Sequence, residues 1–246
     1  LEAYALETRV NAAGEYMKPE FSANVAGKTP VAYIAAWEGT RDAAFLSALL
    51  AADIRVKYNE FPFEVEGKSF PAGSLMITKG GNEYVQNFDQ KVVEIANKFG
   101  VTLATTMSGY VDKGKDFGSP NIRVIQAPKV ALVGGEGTNS LNYGALWHFF
   151  EKDLNYPLVN LELDNMGRYD LNKYTVLIMP SMRGGGLSKS AEENVMQWVR
   201  GGGKVIAIDG ALNLFANKEG FDLKTFDSDD DKKAAQKEAD SLAKAE

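Results

Sequence analysis

Seven residues between an apolar run and a helical stretch, Gly134-Gly135-Glu136-Gly137-Thr138-Asn139-Ser140, have the types and spacing best suited to touch a ligand. A glycine-rich turn entering a helix leaves backbone N–H groups free and sets the positive helix end beside them, which favours anions. The run misses the dinucleotide fingerprint by one position, because Ser140 stands where the last glycine belongs. Glu136 inside the loop repels phosphate, and no Gly-Lys-Ser/Thr follows, so the P-loop pattern fails. A strand-to-helix corner needs such a turn for purely structural reasons as well.

Three further residues fall where they could join this loop. Ser181 follows an apolar run and precedes Arg183-Gly184-Gly185-Gly186, and Asp209-Gly210 closes the last apolar run. In a parallel sheet these positions lie at the carboxyl edge, where α/β sites form. Glu136, Ser181, Arg183 and Asp209 are therefore expected to line one crevice. No Gly-x-Ser-x-Gly elbow occurs in the chain. His148 is the only histidine, and helical spacing groups it with Gly144, Glu151, Lys152 and Asn155 on a polar face. One histidine and no cysteine exclude a protein zinc site of the usual ligand sets, a Cys nucleophile and disulfides.

The elements that must position these residues alternate in type. Residues 31–36 are an apolar run ended by Glu38-Gly39. Thr40 caps a helix carrying Ala44, Phe45, Ala48, Leu49 and Ala52. Ile54, Val56 and Tyr58 alternate as in a half-buried strand, and residues 75–78 form another. Gly80-Gly81-Asn82 is expected to open a helix with Val85, Phe88, Val92, Ile95 and Phe99 inward, closed by Gly100 before a strand at 101–106.

The second half repeats that order. A strand at 130–135 leads to a helix capped by Asn139 or Ser140, with Leu146, Trp147, Phe150 and Leu154 on it. Strands follow at 158–163 and 176–179. Ser190 and Glu193 suggest a capping box for a helix with Ala191, Val195, Trp198 and Val199 inward, and a last strand covers 204–208. The words VAYIAAWEGT and VALVGGEGT start the two halves at a nearly constant offset. The expectation is α/β: two small doubly wound parallel-sheet units related by internal duplication. The segments are a lead-in at 1–28, a first unit at 29–127, a second at 128–218 and an acidic tail at 219–246, expected to be a frayed helix or disordered.

Composition bounds the function. The 246 residues are 45% hydrophobic and 24% charged, ordinary for a globular protein with a sizeable core. A net charge of −6 gives a nucleic-acid partner no electrostatic support. No apolar run reaches the ~20 residues of a membrane span. Leu1 in place of an initiator Met suggests an excised or processed piece.

Residues 143–163, 174–180 and 197–208 resemble class I glutamine amidotransferase-like domains. Residues 115–150 are similar to the C-terminal region of large bacterial zinc carboxypeptidases of the carboxypeptidase A type. Together the likeness covers roughly residues 30–215, and it implies that the second unit is the amidotransferase-like one. The departures concern chemistry. An amidotransferase needs a Cys at the elbow that corresponds here to Asp209-Gly210, and a downstream His-x-Glu, whereas His148 lies upstream. The peptidase zinc site needs His-x-x-Glu together with a distant second His, and one His cannot provide it.

The resemblance therefore implies a non-catalytic accessory region with no cofactor of its own. Zinc is expected in a separate catalytic domain of the parent protein. The implied partners are that domain and a polypeptide or cell-wall substrate, in an extracytoplasmic setting. Two alternatives stand beside it. One is a small-molecule or anion-binding module using Gly135, Glu136, Gly137, Thr138, Asn139 and Ser140, with Ser181, Arg183 and Asp209 nearby. The other is a hydrolase, serine-type through Ser181 or working through an acid pair.

Overall fold

Short apolar runs become sheet interiors only where both faces find cover, and two such sheets form here. The computed structural model describes residues 21–25, 29–182 and 187–225. Arg183, most of the lead-in and most of the acidic tail lie outside the described residues. The chain divides into two compact units, residues 1–45 with 55–123, and residues 46–54 with 124–246.

The first unit contains β1 (Ala32–Ala35), the start of α1 (Thr40–Ala51), β2 (Lys57–Asn59), β3 (Phe63–Val65), β4 (Lys68–Phe70), β5 (Leu75–Thr78), α2 (Phe88–Phe99), β6 (Ala104–Thr106) and β7 (Ile122–Val124). Its sheet order is β6-β1-β5-β2-β7, and β1 pairs antiparallel with both β5 and β6, as β2 does with β5. The connections β1–α1–β2 and β5–α2–β6 each step over one strand of the other. This is a split β-α-β pattern with the β3–β4 hairpin inserted between its middle strands.

The expected parallel sheet is thus corrected for this unit. Neighbouring parallel strands need a helix-length crossover. Here β2 returns to β5 through a hairpin, so the two run in opposite directions. The continuous apolar character of β1 and β5 has another cause, which is cover on both faces. Phe88 of α2 packs on Tyr33 with ring centroids 6.3 Å apart. On the opposite side, Phe63, Val65, Phe70, Phe117 and Ile122 enclose Ala32, Ile34 and Met76. Helix α2 also begins later than expected. Asn82 is buried as a clamp instead, accepting from Arg55 N and donating to the Arg55 and Thr78 carbonyls.

The second unit runs β8 (Val130–Gly134), α3 (Ser140–His148) with a π-helical turn at Phe149–Asp153, β9 (Leu158–Glu162), β10 (Val176–Met179), α4 (Lys189–Arg200) and β11 (Lys204–Ala207), then a 3-10 turn at Asp209–Leu214. All its strands are parallel, in the order β11-β10-β8-β9. Ala191, Val195 and Trp198 of α4 pack against Ala131, Val133, Leu177 and Met179. Tyr143, Leu146 and Phe150 cover Val130, Leu132 and Ile178 on the other face. Alternate residues of β8 thus face opposite layers, the doubly wound arrangement. The cap of α4 is Ser188, whose Oγ accepts from Ala191 N, rather than Ser190. The two units differ in strand order and pairing sense, so the repeat in the sequence does not extend to their sheets.

Candidate functional site

In the second unit the chain leaves β8 for β9 on one side and later adds β10 and β11 on the other. The switch point therefore lies between β8 and β10, and the crevice beyond their carboxyl ends is the place for a site. The glycine-rich loop leaves β8 there, with Gly135 and Gly137 at φ +98° and +90°. Thr138 N and Oγ1 both donate to the Gly135 carbonyl, at 3.2 and 2.7 Å. Asn139 N donates to the Ser181 carbonyl at 2.7 Å, and Thr138 forms a bridge with Met182. The loop is thereby pinned across the switch point to the end of β10.

Asn139 caps α3, its side-chain oxygen accepting from Leu141 N and Asn142 N. Ser140 is the first residue of α3 and is exposed, as is Glu136. Ser181 is buried, and its hydroxyl donates to Asp209 Oδ2 at 2.6 Å. Asp209 adopts φ +50°, an uncommon conformation for a residue with a Cβ. The hydroxyl of Ser181, followed by the Gly210 N–H, holds its carboxyl below the usual Asp range.

Thr138, Asn139, Ser181 and Asp209 are thus brought together. Glu136 forms no hydrogen bond with Ser181 or Asp209. The sequence reading missed Asn160, Glu162 and Tyr143. A Cβ on Gly134 would come within 2.7 Å of both Asn160 Oδ1 and Tyr143 Cε2, and one on Gly135 would overlap Glu162 Oε2. The space that these glycines open beside the backbone is filled by the unit's own side chains. Register carries the missed signal: β8 pairs parallel with β9, and Gly134 lies opposite Glu162. Burial, and then the charge of Glu162, push the Tyr143 hydroxyl's pKa up.

The cluster suits hydrogen bonding more than proton transfer. The Ser181 hydroxyl already donates its hydrogen bond to a carboxylate of depressed pKa, a weak base toward an alcohol. His148 sits nine positions beyond Asn139 along the helical stretch, roughly 13 Å at 1.5 Å per residue. It is exposed, with Nδ1 4.0 Å from Asp153 Oδ2. It is not positioned as a base for Ser181. The lone imidazole faces solvent near the carboxylates of Asp153 and Glu151, and it has no second imidazole to complete the ligand set that the peptidase resemblance places in a separate domain. Among the described residues no group of three or more His, Cys, Asp or Glu side chains is arranged to hold a metal ion. No helix among them is long and apolar enough to cross a membrane. Compared in sequence with known protein families and with curated proteins, the chain matches none of them.

Proposed function

We propose that the chain is a non-catalytic, amidotransferase-like accessory region of a zinc carboxypeptidase-like protein. It works by packing on the metallopeptidase domain, by assembly, or by capture of polypeptide or cell-wall substrate outside the cytoplasm. The observation that best supports this is the end of β11. A parallel strand there turns through Asp209, at φ +50°, into a helical turn, the strand–turn–helix order that a nucleophile elbow also has. The resemblance aligns the amidotransferase Cys with this position. A carboxylate engaged by Ser181 and Gly210 occupies it, a poor nucleophile toward an amide.

The test is to assay the purified chain with glutamine, with an activated ester and with peptides bearing free carboxyl termini. Zinc content is measured in the same preparation. Binding to the metallopeptidase domain of its own reading frame is measured by calorimetry. Binding without turnover and without stoichiometric zinc is expected. Turnover of glutamine or peptide, or one tightly held zinc, rejects the reading.

One observation favours a second reading, a serine-type hydrolase: the 2.6 Å contact between Ser181 and Asp209. It requires ester turnover that Ser181→Ala abolishes. An anion site at residues 134–140 has less support. Thr138 N and Asn139 N are engaged within the unit, and Glu136, Glu162 and Asp209 set negative charge around the loop.

A further inference from the structure

We propose that the corner between β1 and α1 in the first unit binds a free α-amino acid with an apolar side chain. This site is independent of the amidotransferase-like reading, which concerns the second unit. A cavity of about 250 Å³ opens there. That is below the ~300–1,000 Å³ of sites for drug-sized ligands, so it selects something close to a single amino acid.

The floor of the cavity is apolar. Ile34, Phe70, Val101 and Ala104 line it, and Ile34 and Phe70 belong to the core beneath. Its polar side combines opposite charges. Asp42 is 3% exposed, and its Oδ2 accepts from Glu38 N and Gly39 N, both at 2.8 Å. No described residue donates a hydrogen bond to Oδ1. That oxygen is also not among the buried, partnerless side-chain polar atoms of the described residues, which are Ser47 Oγ and Asn59 Oδ1. A nearly buried carboxylate is therefore left with half of its acceptor capacity open where it lines the cavity. Such a group gains most from a cationic donor.

Glu38 adds a second carboxylate to the lining. Arg41 also lines the cavity, is exposed, and has neither a hydrogen bond nor an ion pair with any described residue. Two carboxylates and a guanidinium unpaired among the described residues, above an apolar floor, complement a zwitterion carrying a hydrocarbon chain. The ligand ammonium faces Asp42 and Glu38, its carboxylate takes the planar fork of Arg41, and its side chain covers Phe70 and Val101. A simple anion meets two like charges here, and a simple amine leaves Arg41 unused.

Amide chemical shifts of the full 246-residue chain test this. The chain is titrated with L-leucine, with isopentylamine and with 4-methylpentanoate. Saturable shifts confined to residues 34–42 and 101–104 are expected with leucine, at an affinity about tenfold or more above either single-charge analogue. Arg41→Gln and Asp42→Asn are each expected to weaken leucine about tenfold. Asn keeps an oxygen for the Glu38 and Gly39 N–H groups, and circular dichroism checks that the variant folds. If it does not, the exposed position Arg41 decides alone. No saturable shift, an amine that binds as tightly as leucine, or unchanged affinity in Arg41→Gln overturns the proposal.

Discussion

Ser181 and Asp209 stand 28 positions apart in sequence and meet at 2.6 Å, hydroxyl to carboxylate, across the carboxyl ends of β10 and β11. The first is buried and the second exposed. The contact thus anchors the left-handed turn after β11 to the sheet interior. Asn139 N reaches the Ser181 carbonyl, so one residue holds both the elbow and the glycine-rich loop. That is the work of a structural latch, and it has a titration signature.

The hydroxyl of Ser181 is the leading cause of the depressed Asp209 pKa, with the Gly210 N–H second. A carboxyl whose pKa is lower folded than unfolded adds stability above its unfolded pKa. It loses that contribution as pH falls through the folded value. Ser181→Ala is expected to raise the Asp209 pKa without restoring it fully, because Gly210 still donates. Acid unfolding of the variant then begins at a higher pH. Carboxyl carbon shifts against pH give the pKa, and a fluorescence-monitored acid titration gives the midpoint. An unchanged Asp209 pKa in the variant removes the latch.

Asn139→Ala is expected to cost about 1 kcal/mol, within the ~0.5–2 kcal/mol range for lost caps. Its side-chain oxygen is the acceptor for both Leu141 N and Asn142 N. Helix α3 has no fully buried side chain to hold its first turn by packing alone. The loss should therefore stay local. Amide exchange at residues 141 and 142 should accelerate more than in β8, and Asn139→Ser should restore most of the urea stability.

Much of the second unit was legible because its local and long-range signals agree. Its strands are apolar runs, a helix-length segment lies between most of them, and parallel pairing follows. Ser181, Asp209 and the loop converge because topology alone sends strand ends to one edge. Asn160 and Glu162 were not legible, since their proximity to Gly134 depends on which strand neighbours β8. The first unit misled for a physical reason. Apolar runs such as those of β1 report two covered faces, and either helices on both sides or a helix and a hairpin can supply them. The hairpin at 63–70 is what reverses the pairing sense, and its three-residue strands are too short to show a period. The twin Glu-Gly-Thr words mark similar strand-to-helix corners on dissimilar sheets. The open cavity lies beside the first, where glycines are fewer.

Gly203→Ala should destabilise the second unit by about 1–3 kcal/mol, the usual cost of overpacking. A Cβ there would overlap the ring of Trp198, which is buried against the sheet, and Gly203 N donates to the Trp198 carbonyl at 3.0 Å. The ring has to shift, so its emission should change along with the urea midpoint. Gly202→Ala supplies the contrast. Nothing lies within 4 Å of a Cβ there, but its φ of +99° strains any side chain. That variant should lose about 1–2 kcal/mol with the Trp198 environment preserved.

Asn82 links the turn after β5 to the segment before β2, and its loss should be costlier than that of a surface residue. It is 1% exposed and makes three side-chain bonds: from Arg55 N at 2.8 Å, to the Arg55 carbonyl at 2.9 Å and to the Thr78 carbonyl at 2.8 Å. An amide is the one neutral group that accepts and donates in this pattern. Asn82→Ala leaves those backbone groups without partners, and each unsatisfied buried group costs ~1–3 kcal/mol. Asn82→Asp keeps the acceptor but turns both donors into repulsion against two carbonyls, and it places a charge in a buried position. The expected order of stability is therefore wild type, then Ala, then Asp, read from urea midpoints. Exchange at the Arg55 amide should rise in the Ala variant and stay slower in the Asp variant, because only the latter retains the acceptor. An Asp variant as stable as wild type would mean that the turn re-forms without the clamp.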